Sequence, residues 1–428
     1  MAIGAILEPL IVVSFLTFGT IVNRNKSYSK QSRSAASTAR PHPWQHLKYD
    51  AESEYDDVET GQRKEEERVP LHSPLSRSSS SSGQTLAEDD LADKPISRTR
   101  KRKVRFMGWE REVTTPNTEV FKDRLLSRVL QRFPFLVEVW YWALIYWVYQ
   151  LGRAFTAVTL LESTVDTARE HALQVIHVEQ RLGIFVEPAI QAWFLTHPTL
   201  MRYTNKTYSF IHIPGTILFL IVLYHFTTAK PRQKLQEENN GKALADNWRE
   251  RAPAFGPAIY ERRRRTMAMC NLLAFIVFTF WPCMPPRLLS DPAYKGEFAK
   301  ESKSYGFVDT VHGSDGDSSV WTTNRFCNQY AAMPSLHFGY SFLVGLTIAT
   351  VPLGRRGRLG WKRLAIVCLG MVYPSVILTA IVATANHFIL DAVAGAIACI
   401  IAWNFNDVLL NVLVIEDYFL SLLRMHKP

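Results

Sequence analysis

Two histidines in this chain stand where a histidine can do chemistry. His387 lies in the stretch TANHFILDAVAGA, Thr384 to Ala396, with Asp391 four residues later. On a helix that spacing stacks both side chains on one face, so the carboxylate can hold one ring nitrogen and leave the other as a nucleophile or base. Ionisable groups deep in an apolar run are costly without a partner, and each supplies one for the other. A buried structural hydrogen bond would leave the same pattern. His337 lies in NQYAAMPSLHFGYSFLVG, Asn328 to Gly345, just inside the start of an apolar helix. Pro334 suits the first turn of that helix, and Ser335 adds a hydroxyl beside its unpaired backbone donors. Such a helix mouth attracts anions; a membrane helix with an incidental histidine near its end reads the same way. A third stretch, WPCMPPRLL, ends another apolar run and offers Arg287.

A guanidinium, a helix N-terminus, two histidines and an aspartate together make a site for phosphoryl transfer. One histidine attacks phosphorus, the second protonates the leaving oxygen, and Arg287 with backbone amides stabilises the equatorial oxygens. The sequence has no Gly-rich nucleotide loop and no carboxylate cluster for magnesium, so neither a metal nor a cofactor is expected, and the reaction can run on a covalent phosphohistidine.

The elements that must bring these residues together are membrane spans. Of 428 residues, 47% are hydrophobic and 21% charged, and the two classes are segregated along the chain. The net charge of +10 would suit nucleic acid if it lay on a soluble fold, but the basic residues cluster beside apolar runs, where membrane topology explains them, so no nucleic-acid partner is expected. The five cysteines show no paired metal spacing. Residues 1–22 read as an N-terminal transmembrane anchor followed by Arg24, Lys26, Lys30 and Arg33. Residues 23–117, rich in Ser, Arg, Glu, Asp and Pro, read as a disordered cytoplasmic segment that includes the basic block Arg98 to Arg105. Six further spans are expected near Phe135 to Leu151, Ser209 to Thr228, Met267 to Leu289, Met333 to Val351, Trp361 to Thr384 and His387 to Val412. Residues 413–428 are left as a cytoplasmic tail.

The loop Ala229 to Thr266 carries ten Lys or Arg residues, and the loop after Val351 is also basic, so both are expected in the cytoplasm. That parity puts His337, His387 and Arg287 on one opposite face, the lumen or the exterior; the expected location is the endomembrane system, Golgi or ER, with the site facing the lumen. Between Leu161 and Arg202, Val165, Ala168, Ala172, Val175, Ile176 and Val178 recur at near-helical spacing among charges, as in an amphipathic helix lying on the membrane. His171 and His177 on it read as interfacial, Tyr208 and His212 as lining a lipid entrance, and Glu179 as positioning the surface helix against the core.

The order PPR, then PSLH, then HxxxD, each at a span end, resembles the type 2 phosphatidic acid phosphatase superfamily, whose cores have six helices. The wording AMPSLHFGYS and HFILD is similar to its fungal inositolphosphotransferase branch, the inositol phosphorylceramide synthase type. Residues 118–412 are identified as this domain. The resulting fold expectation is an all-α multi-pass membrane protein: a six-helix core, an N-terminal anchor and a surface amphipathic helix. The resemblance implies His387 as phosphate-accepting nucleophile, Asp391 as its orienting partner, His337 as general acid, and Arg287 and Ser335 as phosphate ligands. It implies a membrane lipid as substrate. Where the superfamily carries a lysine in its first motif and Ser-Arg ahead of the third, this chain has Phe280, Ala380 and Ile381. Lys303 and Arg325 in the same loop are alternative cations, or solvated loop charges.

Three functions fit this reading: an inositolphosphotransferase-like transferase, a lipid phosphate phosphatase with water as acceptor, and a non-catalytic lipid-binding relative. A transporter fits less well, because the polar residues gather at span ends. The topology is tested by tagging Asn117 and Asp315 separately: the tags are expected on opposite membrane faces, and finding both on one face breaks the arrangement.

Overall fold

The computed structural model describes residues 2–26, 97–106, 108–159, 162–238, 256–310, 329–353 and 360–428. The described chain is mostly helical. Helix α1 (Ala2–Val22) is followed, beyond the first undescribed stretch, by an antiparallel hairpin of β1 (Thr99–Phe106) and β2 (Trp109–Pro116). Then come α2 (Leu125–Arg132), α3 (Phe135–Thr159), α4 (Glu162–Leu182), α5 (Glu187–Leu195) and α6 (Pro198–Lys206). The chain continues through α7 (His212–Glu238), α8 (Pro257–Phe280), α9 (Ala299–Ser304), α10 (Leu336–Ala349), α11 (Trp361–Ala383), α12 (Ile389–Phe405) and α13 (Leu413–Leu422).

Three of the described helical runs are long and apolar enough to cross a membrane: α7, α11 and the run Ile389–Leu422. The last is 34 residues long. At 1.5 Å per residue that is about 51 Å, against a hydrocarbon core of about 30 Å, so part of it must lie outside the lipid. The protein is an integral membrane protein. Its core joins Ile217, Ile221 and Tyr224 of α7, Met267 and Cys270 of α8, Leu343 of α10, and Cys399 and Ala402 of α12.

Prolines and caps set the helix ends near the histidines. Helix α8 stops at Phe280, not at Leu289, because Pro282, Pro285 and Pro286 cannot continue it. Helix α10 starts only at Leu336, after a cis Met333–Pro334 bond and a Ser335 cap. Helix α12 starts at Ile389, so His387 precedes the helix and does not share a helical face with Asp391.

Three further expectations give way. The amphipathic α4 does not turn its apolar face to lipid: Ala168, Ala172, Val175 and Ile176 are buried against Cys283, Met284, Ala332, Ala385 and Phe388 of the site-bearing loops. Amphipathic spacing only says that one face is buried, and here protein buries it. The last residues of the segment expected to be disordered form the hairpin, so the fold is not purely helical; the segment's residues 27–96 lie outside those described. The chain after residue 412 is not an open tail either, since it forms α13.

Hairpin and α13 explain one another. Asp417 of α13 is buried, Arg100 and Arg102 of β1 each grip it with two nitrogens, and Thr115 of β2 donates to it at 2.8 Å. A buried carboxylate held this way is strongly bound by its partners, and removing it strands two guanidinium groups. Asp417→Ala is therefore expected to release the hairpin, read as faster tryptic cleavage at Arg100 to Arg105 in the otherwise folded protein. Unchanged cleavage would show that the hairpin docks by other contacts.

Candidate active site

The proline-rich turn after α8 ties the site together through its backbone. Cys283 donates to Tyr330 O at 2.8 Å and accepts from Ala332 N at 3.1 Å, forming a short parallel bridge to the strand that leads into α10. Met284 N reaches Ala168 O of α4, and Arg287 N reaches Ala385 O in the loop before α12. One turn thus pins three elements, and each contributes to the site.

Helices α10 and α12 meet with almost no side chain between them. Ser335 N donates to Asp391 O at 2.9 Å. A Cβ on Gly339 would lie 3.1 Å from Gly395 O, and one on Gly395 would collide with Ser335 O. Only glycine permits this approach. It brings the His337 and His387 rings to 5.8 Å between centroids.

His387 is buried, and its Nδ1 lies 2.8 Å from Ala332 O and 3.5 Å from Asp391 Oδ2. A carbonyl oxygen can only accept, so Nδ1 carries the proton and Nε2 keeps its lone pair. Asp391 is fully buried and also takes the N–H of Phe388 at 2.9 Å, so its carboxylate fixes both the ring and the mouth of α12. The sequence spacing therefore brings the pair together through the turn that enters α12.

His337 occupies the first turn of α10. Its ring stacks on Tyr208 at 4.4 Å and meets His212 at 4.6 Å, and His212 Nδ1 lies 3.2 Å from Tyr373 Oη. Tyr208 lies in the π-helical turn Thr207–Ile211 and His212 follows it directly, a local widening that frequently marks functional positions. These two residues support the general-acid candidate directly, a role sequence spacing did not reveal. Ser209 in the same turn is buried, with no hydrogen-bond partner for its Oγ.

Arg287 is nearly buried; its Nε donates to Asn386 Oδ1 at 2.9 Å and it pairs with Asp309 at 2.9 Å. Asn386 and Asp309, both missed in the sequence, hold the guanidinium beside His387. Ser335 is brought to the mouth of α10 as expected, but its fully buried Oγ accepts from Phe338 N at 3.3 Å, and the residue does not line the cavity. Phe280, where the superfamily has lysine, is 81% exposed and adds no charge to the site. Lys303 donates to the carbonyls of Pro292 and Tyr294, so it staples its own loop; Arg325 lies outside the described residues. His171 faces inward, with Nδ1 2.7 Å from Pro282 O, and His177 pairs with Glu301.

A cavity of about 310 Å³ opens from this centre. Arg287, His337 and His387 line one end, and Tyr260 and Arg264 of α8 with Glu138 of α3 the other. Its lining follows α8 from Tyr260 to Phe278, which at 1.5 Å per residue is about 27 Å. The far end is closed electrically: Arg264 holds both oxygens of Glu138, and Tyr260 donates to the same carboxylate.

The last feature is a ring of carboxylates on the mouth of α12. Besides Asp391 on Phe388 N, Glu187 Oε1 accepts from Ile389 N at 2.9 Å and Glu179 Oε1 from Leu390 N at 2.8 Å. Burial and the neighbouring Glu187 push the Glu179 carboxyl up to about 9.

With this geometry in view, the chain belongs to the PAP2 superfamily, whose family model matches residues 173–235 and 253–405. Members are phosphatases or phosphotransferases acting on lipid phosphates, and this chain is a membrane enzyme of that kind. The match covers Glu179, Glu187, Tyr208, His212, Arg287, Asp309, His337, Asn386, His387 and Asp391, and leaves out α1, the hairpin, α2, α3 with Glu138, and α13. No curated protein and no solved structure shows significant similarity to the chain.

The Gly339–Gly395 contact yields a direct test. Gly395→Ala must push α12 from the α10 mouth, and is expected to cost about 1–3 kcal/mol of stability and most of the turnover. Gly215→Ala, whose new Cβ would meet only Tyr373 Oη at 3.5 Å, is the control and is expected to leave both within error. Equal effects from the two would show that the close approach does not set the geometry.

Proposed function

We propose that the protein transfers a phosphate or phospho-headgroup between lipids and an alcohol acceptor through a phosphohistidine on His387, in the manner of an inositolphosphotransferase of sphingolipid or phospholipid metabolism. The observation that carries this is the buried His387 ring. Its Nδ1 is committed to Ala332 O and Asp391, and Arg287 and His337 line the same cavity end.

In the first step the Nε2 lone pair attacks phosphorus and the bond from phosphorus to the leaving oxygen breaks. His337, protonated beside the bound phosphate anion, gives that oxygen its proton. Arg287 and the α10 backbone amides meet the equatorial oxygens, with Ser335 acting as the cap that orients those amides. In the second step an acceptor hydroxyl attacks phosphorus, its proton passes to His337, and the P–N bond breaks. Phosphatase action is the same sequence with water as acceptor. The AMPSLHFGYS and HFILD wording supports the transferase branch. We further read α3, α7, α8, α10, α11 and α12 as the six-helix core, α1 as a membrane anchor, and the histidine-bearing end as facing the lumen of the Golgi or ER.

His387→Ala is expected to abolish turnover on a panel of lipid phosphates and phospho-headgroup lipids, assayed in purified protein for both released phosphate and new phospholipid. Wild type incubated with radiolabelled lipid phosphate should yield an acid-labile, base-stable label that the variant lacks. Turnover retained by His387→Ala would overturn the mechanism. Product phospholipid appearing only when a lipid alcohol is added as acceptor would favour the transferase reading, and phosphate release alone the phosphatase.

A further inference from the structure

The mouth of α12 has more negative charge around it than it can hold. Three carboxyl groups, on Asp391, Glu179 and Glu187, each accept one of the backbone N–H groups of residues 388–390, and all three side chains are fully buried. A helix N-terminus supplies the equivalent of about half a positive charge, so three anions there are not neutralised. Among the described residues, the groups that act most on Glu179 are Glu187 on α5 and Asp391 on α12, with Cys283 in the turn after α8 beside it, and none of these is a cation.

The outward oxygens resolve the imbalance. Glu179 Oε2 and Glu187 Oε2 are both buried without any other hydrogen-bond partner, and the two side chains are within hydrogen-bonding reach of each other. Two carboxylates repel, whereas a carboxylic acid and a carboxylate form a strong hydrogen bond through one proton. Each glutamate spends one oxygen on a helix amide and keeps the other for its neighbour.

We infer that Glu179 and Glu187 share a single proton and act as a positioning pair that clamps α4 and α5 onto the mouth of α12, holding the Asp391–His387 unit in register. This rests on the reading of His387 as nucleophile given above. The pair touches neither phosphate nor His387, and it acts through the backbone of residues 389 and 390. It also accounts for α4 packing on the protein: the helix carries Glu179 to the site end of the bundle.

The sign of the pH dependence follows. A carboxyl raised to about 9 in the folded protein, against an ordinary value of 4.5, keeps a proton the unfolded chain has lost. Stability from the clamp is complete below the ordinary value and falls as pH rises towards 9, where the proton leaves and the two anions repel.

Two measurements on the full-length protein test this. In infrared difference spectra, wild type at neutral pH is expected to show the carbonyl band of a protonated carboxyl group that vanishes as pH rises past about 9. Glu179→Gln and Glu187→Gln should each lack the band, because the remaining acid ionises against the amide. A pair that is doubly ionised in wild type, so that both variants remove only carboxylate bands, overturns the proposal. In kinetics, either single variant should lose the alkaline limb of the kcat profile, since glutamine donates the missing hydrogen without titrating. The double variant sets amide against amide and should lower kcat by about ten-fold with little change in KM. An alkaline limb identical in wild type and both single variants also overturns it. Wild type without turnover on any lipid phosphate would sink the phosphoryl-transfer reading, while the infrared band would still decide the shared proton.

Discussion

Everything chemical in this protein depends on how closely the mouths of α10 and α12 approach. The Ser335 N–H bonded to Asp391 O and the glycine contact between residues 339 and 395 are small interactions, each worth little alone. Their value is geometric. They set two histidines from segments fifty residues apart at one ring-to-ring distance, and they leave no room for a side chain that would let the distance drift. The surrounding parts then read as supports. The proline turn after α8 pins the strand before α10 and the loop before α12, and the carboxylates of α4, α5 and α12 itself fasten the α12 amides.

Much of the site was legible in the sequence because its chemistry is local. His387 and Asp391 are four residues apart, Ser335 and His337 two, and each motif sits at the end of an apolar run whose length announces a helix. What the sequence could not show is which distant residue completes each motif. Asp309 and Asn386 on Arg287, Tyr208 and His212 on His337, and Glu187 on Ile389 N are contacts across tens to hundreds of positions, and none leaves a periodic trace. Glu179 was visible as a positioning residue, but not what it positions.

The misread elements have physical reasons too. Residues 99–106 carry charge on alternate and adjacent positions alike, so no apolar face marks a strand; the hairpin forms because it pairs with itself and because Asp417 waits on α13 for two of its arginines. Helix α4 has the spacing of a membrane-surface helix, and the error lay in the choice of what covers the apolar face. His387 was placed on a helix that begins two residues later, since the cap is set by Asp391 and by the two glutamates brought in from elsewhere. Among the described residues fewer cations surround the candidate site than the superfamily pattern provides, and Arg287 already shares its charge with Asp309. What the described residues do supply is a His387 ring held by Ala332 O and Asp391.

The long cavity along α8 carries a consequence of a different sort. On the proposed mechanism His387 would carry a phosphorus–nitrogen bond, which is short-lived in water, so what becomes of it would depend on which acceptor arrives first. The passage is walled by Trp142, Tyr146, Tyr149 and Tyr340, with the histidines at one end and the Glu138–Arg264 pair at the other. A lipid chain lying in that passage would displace the water standing behind the phosphorylated ring. The lifetime of such an intermediate would then be governed by what fills the passage, and the outcome by the relative abundance of acceptors beside the ring.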